Sequence, residues 1–213
     1  MKRINVLIAG VILFASCNSA SNETKETKDS SGSAKKEEAF VPVDSATSMK
    51  NWMVYMTPGE VHKMMATWDG TWNTETSMWM KPGQPPLKST GKMVNKMILN
   101  GLFQESVYKG DMMGMPFEGH GTMGYDNAKK MFVSTWVDNM TSGIMKMEGP
   151  WDEATKSITL KGNGVDFNTG KDCPGREVFK VIDSNTQTME MYGPSPVDGK
   201  EMKVMEIKFT RAK

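Results

Sequence analysis

Hydrophobic and polar side chains alternate along most of the chain beyond residue 70. Trp72, Thr74, Thr76 and Met78 fall on one face of an extended segment, and Asn73, Glu75 and Ser77 on the other. That is the period of a half-buried strand. The alternation returns in Met145 with Met147, in Met189 with Met191, and in Met205, Ile207 and Phe209 between charged neighbours. Turn signals separate these runs. Residues 81–86 (Lys-Pro-Gly-Gln-Pro-Pro) exclude a helix or an internal strand, because proline supplies no ladder donor. Asn100-Gly101 predicts a two-residue hairpin between strands at 88–99 and 102–108. Residues 110–116 read as a flexible loop, after which 117–125 resumes extended structure. Three later junctions place an aspartate (Asp126, Asp152, Asp183) after a large apolar residue and before a new strand. There its carboxylate can bond its own turn. About ten strands result, with no interval long enough for the helix of a parallel crossover. The expected fold is mainly β, a single antiparallel meander that closes into a barrel because closure removes exposed edges.

The period changes over residues 49–67. Trp52, Tyr55 and Met56 stand at i, i+3 and i+4, one face of a helical turn. Thr57-Pro58-Gly59-Glu60 matches a capping box, with Thr57 as the cap and Pro58 in the first helical position. The helix it would start carries Val61, Met64, Met65 and Trp68 as an apolar stripe. Short N-terminal helices are therefore expected to cap one end of a barrel domain spanning residues 49–213.

The first residues read as an address. Lys2 and Arg3 precede an apolar run over 4–15, too short to span a bilayer but suited to a signal peptide of residues 1–16. Phe14-Ala15-Ser16-Cys17 resembles a bacterial lipobox, which implies cleavage before Cys17 and lipid attachment to it. The alternative is an ordinary signal peptide with an incidental cysteine. Asn18 does not resemble the aspartate that retains many lipoproteins in the inner membrane, so a lipid-anchored protein of the cell envelope, at the outer membrane, is expected. Residues 17–48 carry hardly an apolar side chain before Phe40 and read as a flexible tether that cannot offset its ordering entropy by burial.

Charge and cysteine content narrow the classes. The chain has 26 basic and 25 acidic residues, and loss of Lys2 and Arg3 leaves it nearly neutral. Nucleic acid is not an expected partner, since phosphate binding needs a basic surface. With Cys17 lipidated, Cys173 has no disulfide partner.

Several blocks then occur together. They are Thr57-Pro58-Gly59-Glu60 with His62-Lys63, Gly70-Thr71-Trp72, Tyr108-Lys109-Gly110-Asp111 and Gly114-Met115-Pro116-Phe117-Glu118-Gly119. Gly124-Tyr125-Asp126-Asn127, Ser134-Thr135-Trp136, and Asp198-Gly199-Lys200 with Met205-Glu206 follow. In this order they resemble the bacterial family known as domain of unknown function fifteen-seventy-nine, over about residues 50–211. The resemblance implies a lipocalin- or calycin-like barrel and brings no catalytic residue with it.

Candidate chemistry is sparse. The 22 methionines include a Met112, Met113 and Met115 cluster that would suit Cu(I). Yet most others sit at alternating strand positions, and soft-metal sites usually recruit Cys or His as well. Core filling is the reading adopted, and no metal or cofactor is expected; for haem, which some related barrels hold through a histidine, no ligand pair stands out. Glu75, Glu118, Asp138 and Glu148 lie inside strands, with Arg176 as a partner for any that point inward. There is no serine elbow, phosphate loop or zinc-spaced cluster. The leading expectation is a barrel binding a small apolar or amphipathic ligand, lined by Trp72, Trp136 and Met145, with Glu118, His120 or Asp138 orienting a polar group. The alternatives are a structural or interaction module with a filled barrel, and an enzyme using Glu118, Asp138 or His120 as acid or base.

Overall fold

The computed structural model describes residues 41–213. The expected leader, Cys17 and most of the expected tether lie outside the described residues. Two helices, α1 (Ser45–Tyr55) and α2 (Glu60–Ala66), precede eleven strands. These are β1 (Gly70–Met78), β2 (Leu87–Ile98), β3 (Phe103–Met112), β4 (Met115–Asp126), β5 (Met131–Asp138), β6 (Met145–Gly149), β7 (Trp151–Asp152), β8 (Ser157–Asp166), β9 (Lys171–Asp183), β10 (Thr186–Pro194) and β11 (Glu201–Arg211). Every pairing is antiparallel between sequence neighbours, except that β1 pairs with β11 and β6 with β8. Those two contacts close ten strands into a barrel, and the two-residue β7 pairs with β8 beyond the seam.

Glycine makes the seam. A Cβ on Gly149 would lie 1.9 Å from the Thr159 carbonyl oxygen, and one on Gly162 would lie 2.1 Å from that of Lys146. Only hydrogen in place of a side chain lets β6 approach β8 this closely.

Several local expectations are corrected. The helical region forms short helices as expected, but α1 begins at Ser45, within the stretch read as tether. Gly59, not Thr57, caps α2, and its N–H donates to Nδ1 of His62 at 3.0 Å. A histidine thus takes the place expected of Glu60. Asn100-Gly101 belongs to a four-residue connection from Ile98 to Phe103, with Leu99, Asn100 and Gly101 all at positive φ. Residues 110–116 are not a loop. β3 and β4 run on to pair Met112 with Met115 across a turn of Met113 and Gly114. The aspartate turns form as expected: Asp126 accepts from the Ala128 and Lys129 amides, Asp152 from Ala154 and Thr155, and Asp183 from Asn185.

Alternation carries one face of every strand inward, and helix α2 closes one end. Met65 and Trp68, from α2 and the turn after it, pack with Phe132, Met147, Ile158, Leu160 and Phe179. Each such side chain contributes about 1.5–3 kcal/mol by leaving water. Gln104 Nε2 donates to the Met65 carbonyl at 2.9 Å and to Asp69 Oδ1 at 2.8 Å, tying α2 to β3. The other end has no helix among the described residues. Its connections instead present Met80, Met113, Ile144, Phe167 and Val197 to solvent.

Candidate functional site

The interior is mainly apolar, and its second buried group comprises Trp72, Met93, Tyr108 and Phe209, with Phe117, Trp136, Met189 and Ile207 against it. Within this setting one carboxylate is out of place. On β9, Phe179 and Glu177 are both buried, and Glu177 pairs across the ladder with Leu160 of β8 and Met191 of β10. Glu177 is 6% exposed. Among the described residues it has no hydrogen-bond or ion-pair partner. Burial alone, with no cation to favour the ionised form, pushes its carboxyl up to about 7. Near neutrality it is therefore partly protonated, able to donate or to accept a proton.

The residues singled out from sequence separate into three groups. Trp136, Asp138 and Met145 come together. Trp136 is the register partner of Met145, and its Nε1–H donates to Asp138 Oδ2 at 3.1 Å. The indole lies flat on β4, where a Cβ on Gly119 would stand 2.1 Å from the ring. Asp138 also accepts from the Met140 and Thr141 amides, so both its oxygens already have partners.

Glu118 and His120 occupy the opposite face of β4 from Gly119 and Gly121, on the outer wall. Glu118 Oε1 lies 3.2 Å from His120 Nε2 and 3.4 Å from Lys109 Nζ, and both side chains are about half exposed. His120 first, then Lys109, hold the Glu118 carboxyl below its usual range. These two residues face water, away from Trp136. The period-two alternation of β4 decides this, since Gly119 must point inward to admit the indole.

Trp72 is fully buried at the helix-capped end. Its Nε1–H donates to the Trp68 carbonyl at 3.0 Å, and the Arg211 guanidinium lies over its ring at 4.2 Å. Arg211 also donates to the carbonyls of Asp69 (2.6 Å), Thr67 (2.8 Å) and Ser184 (3.0 Å). Arg176, expected beside an internal carboxylate, instead grips Glu201 through two bonds and stacks on Tyr192. This pair borders an open groove of about 560 Å³.

Sequence reasoning missed Glu177. Its neighbours Arg176, Val178 and Lys180 frame it as one charge in a mixed strand. The available signal was its parity with Phe179, which places it on the apolar face. The described residues contain no grouping of three or more His, Cys, Asp or Glu able to hold a metal ion.

The barrel is similar to a solved structure, Rv2717c from M. tuberculosis, with a TM-score of 0.56 and 12% identity, over 74% of this chain and all of that one. At that identity the likeness bears on fold alone. No curated protein matches the chain. A family model described as "Protein of unknown function (DUF1579)" matches residues 57–211, which takes in α2 and the whole barrel; the chain belongs to that family.

Proposed function

We propose that the barrel binds a small amphipathic ligand in its interior, with Glu177 as the polar anchor, and that the protein serves in the cell envelope as a lipoprotein held through Cys17. The observation that carries the binding reading is the unpartnered, buried Glu177. Desolvation with no cation beside it holds the Glu177 carboxyl up to about 7, so ionising it at neutral pH is costly. A donor-bearing ligand would supply the missing partner. Met191 beside Glu177, and Met145 and Trp136 on β6 and β5, provide apolar contact that adapts to irregular shapes. The apolar tips at the helix-free end offer an entrance compatible with such a ligand. The anchoring reading rests on the sequence around Cys17.

The chemistry of the anchor orders the ligands. Long-chain alcohols and amines are expected to bind better than the matching acids, since a second carboxylate repels Glu177. Tryptophan emission and displacement of N-phenyl-1-naphthylamine report binding, and Glu177→Leu is expected to weaken alcohol and amine binding about tenfold, the worth of one hydrogen bond to a charged group. Equal affinity of the variant, or no binding across the panel, would remove this reading.

A specific observation favours the second reading, a barrel filled by its own side chains. Trp136 already lies against Gly119 and has its N–H satisfied by Asp138. If that reading holds, no member of the panel shifts tryptophan emission, and Glu177→Leu only stabilises.

A further inference from the structure

Helix α1 is eleven residues long and buries none of them. Met49, Trp52, Met53 and Met56 follow i, i+3, i+4, i+7 spacing and so form one stripe, with Tyr55 at its margin. Each of the five is between 42% and 56% exposed. Thr47, Lys50 and Asn51 fall on the other side together with the exposed Val54, and the helix holds no acidic residue. Alone in water a helix shorter than about 12 residues is marginal. Here both ends are fixed. Asp44 caps the start by accepting from the Ala46 and Thr47 amides. Asn127, in the β4–β5 turn, donates to the carbonyls of Tyr55 and Thr57, each at 3.0 Å. The fold thus holds a helix in place while leaving its apolar stripe about half exposed.

We infer that this stripe is a membrane-interface surface, and that α1 lies in the headgroup region of the bilayer that anchors the chain. The inference rests on the lipoprotein reading for which bilayer is met, but not for the affinity of the helix itself. Three observations select a bilayer over other occupants. The chain before Val41 leads directly into α1, and Cys17 lies 27 residues before Asp44. If this segment is the tether its composition predicts, it spans on the order of 30 Å. It would keep α1 at an effective concentration near millimolar at the surface, so even weak affinity suffices. The stripe's composition, Trp and Tyr among methionines with a lysine opposite, suits the boundary between headgroups and acyl chains. Its exposed area, roughly 500 Å² for five large side chains, falls short of the ~800 Å² per partner of a stable protein dimer.

The test uses a chain beginning at Asn18, which retains the whole barrel with its own core and carries no lipid. Flotation with vesicles of phosphatidylethanolamine and phosphatidylglycerol is expected to carry it upward. The emission of Trp52, taken as the difference from Trp52→Phe, is expected to shift to the blue. The paired change Trp52→Ser with Met53→Ser is expected to lower the partition coefficient about tenfold or more, with the melting temperature of the barrel unchanged because α1 buries no residue. Absence of flotation, or flotation unaffected by the paired change, would overturn the inference. So would a concentration-dependent dimer that the paired change abolishes. Shielding of Trp52 from acrylamide without vesicles would do the same, since the tether would then cover the stripe. Palmitate labelling of the full chain against Cys17→Ala reads the anchor separately. A negative result there, with flotation intact, removes the anchor and leaves the helix surface standing.

Discussion

Arg211→Ala is expected to destabilise the barrel by about 4 kcal/mol, although the side chain sits at the end of the last strand. Its guanidinium joins three parts of the closed end. It bonds the Thr67 and Asp69 carbonyls where the chain leaves α2, bonds the Ser184 carbonyl in the β9–β10 turn, and covers the Trp72 ring. Charge-assisted bonds contribute about 1.5 kcal/mol or more each, and a partly desolvated cation–π contact about 1 kcal/mol. Two of the bonds are exposed and contribute about half as much each, which brings the sum to about 4 kcal/mol. For a domain of this size the melting temperature is expected to fall on the order of 10 °C. Arg211→Lys is expected to recover less than half, because an ammonium cannot reach three carbonyls and stack at once. Thermal unfolding followed by circular dichroism measures both variants. A loss below about 1 kcal/mol for the alanine variant would show that the closed end is held by Met65 and Trp68 packing alone.

That arrangement marks how far the sequence could be read. Period-two alternation and the aspartate turns reveal a closed meander, because side-chain parity and Asx turns are local properties. Trp72 is legible as an inward residue for the same reason. Its role is not, because that depends on Arg211, distant in sequence and brought alongside only when β1 pairs with β11. The β4–β5 pairing decides Gly119, which makes room for Trp136 and so turns Glu118 and His120 outward. The cap of α2 shows the opposite failure. Thr57 and Glu60 matched a local pattern, yet the buried His62 took the bond, since its ring is held 6.1 Å from Tyr125 at the barrel end. Glu177 was hidden by averaging. In a strand with Arg176 and Lys180 a glutamate is unremarkable until parity with Phe179 is used.

Glu177 should also write itself into the pH dependence of stability. In the unfolded chain its carboxyl ionises near 4.5, whereas burial holds the proton in the fold up to about 7. The raised folded value means that stability is fully present below pH 4.5 and is lost as pH rises toward 7. The stability of wild type relative to Glu177→Gln is therefore expected to fall by about 3 kcal/mol between pH 4.5 and pH 8, at 1.36 kcal/mol per pH unit. Taking the difference matters, because His62 works the other way. Desolvation lowers its folded pKa below 6.5, so its contribution is lost as pH falls, and the term cancels between the two proteins. Urea unfolding of both across this range measures the change, and a difference constant with pH would mean that Glu177 is ionised and partnered in the fold. The same titration separates the two readings of the interior. An amine that pairs with Glu177 drives it to ionise, so binding at pH 6 would release a proton. Calorimetry in buffers of different ionisation enthalpy detects that proton, and a filled barrel gives none.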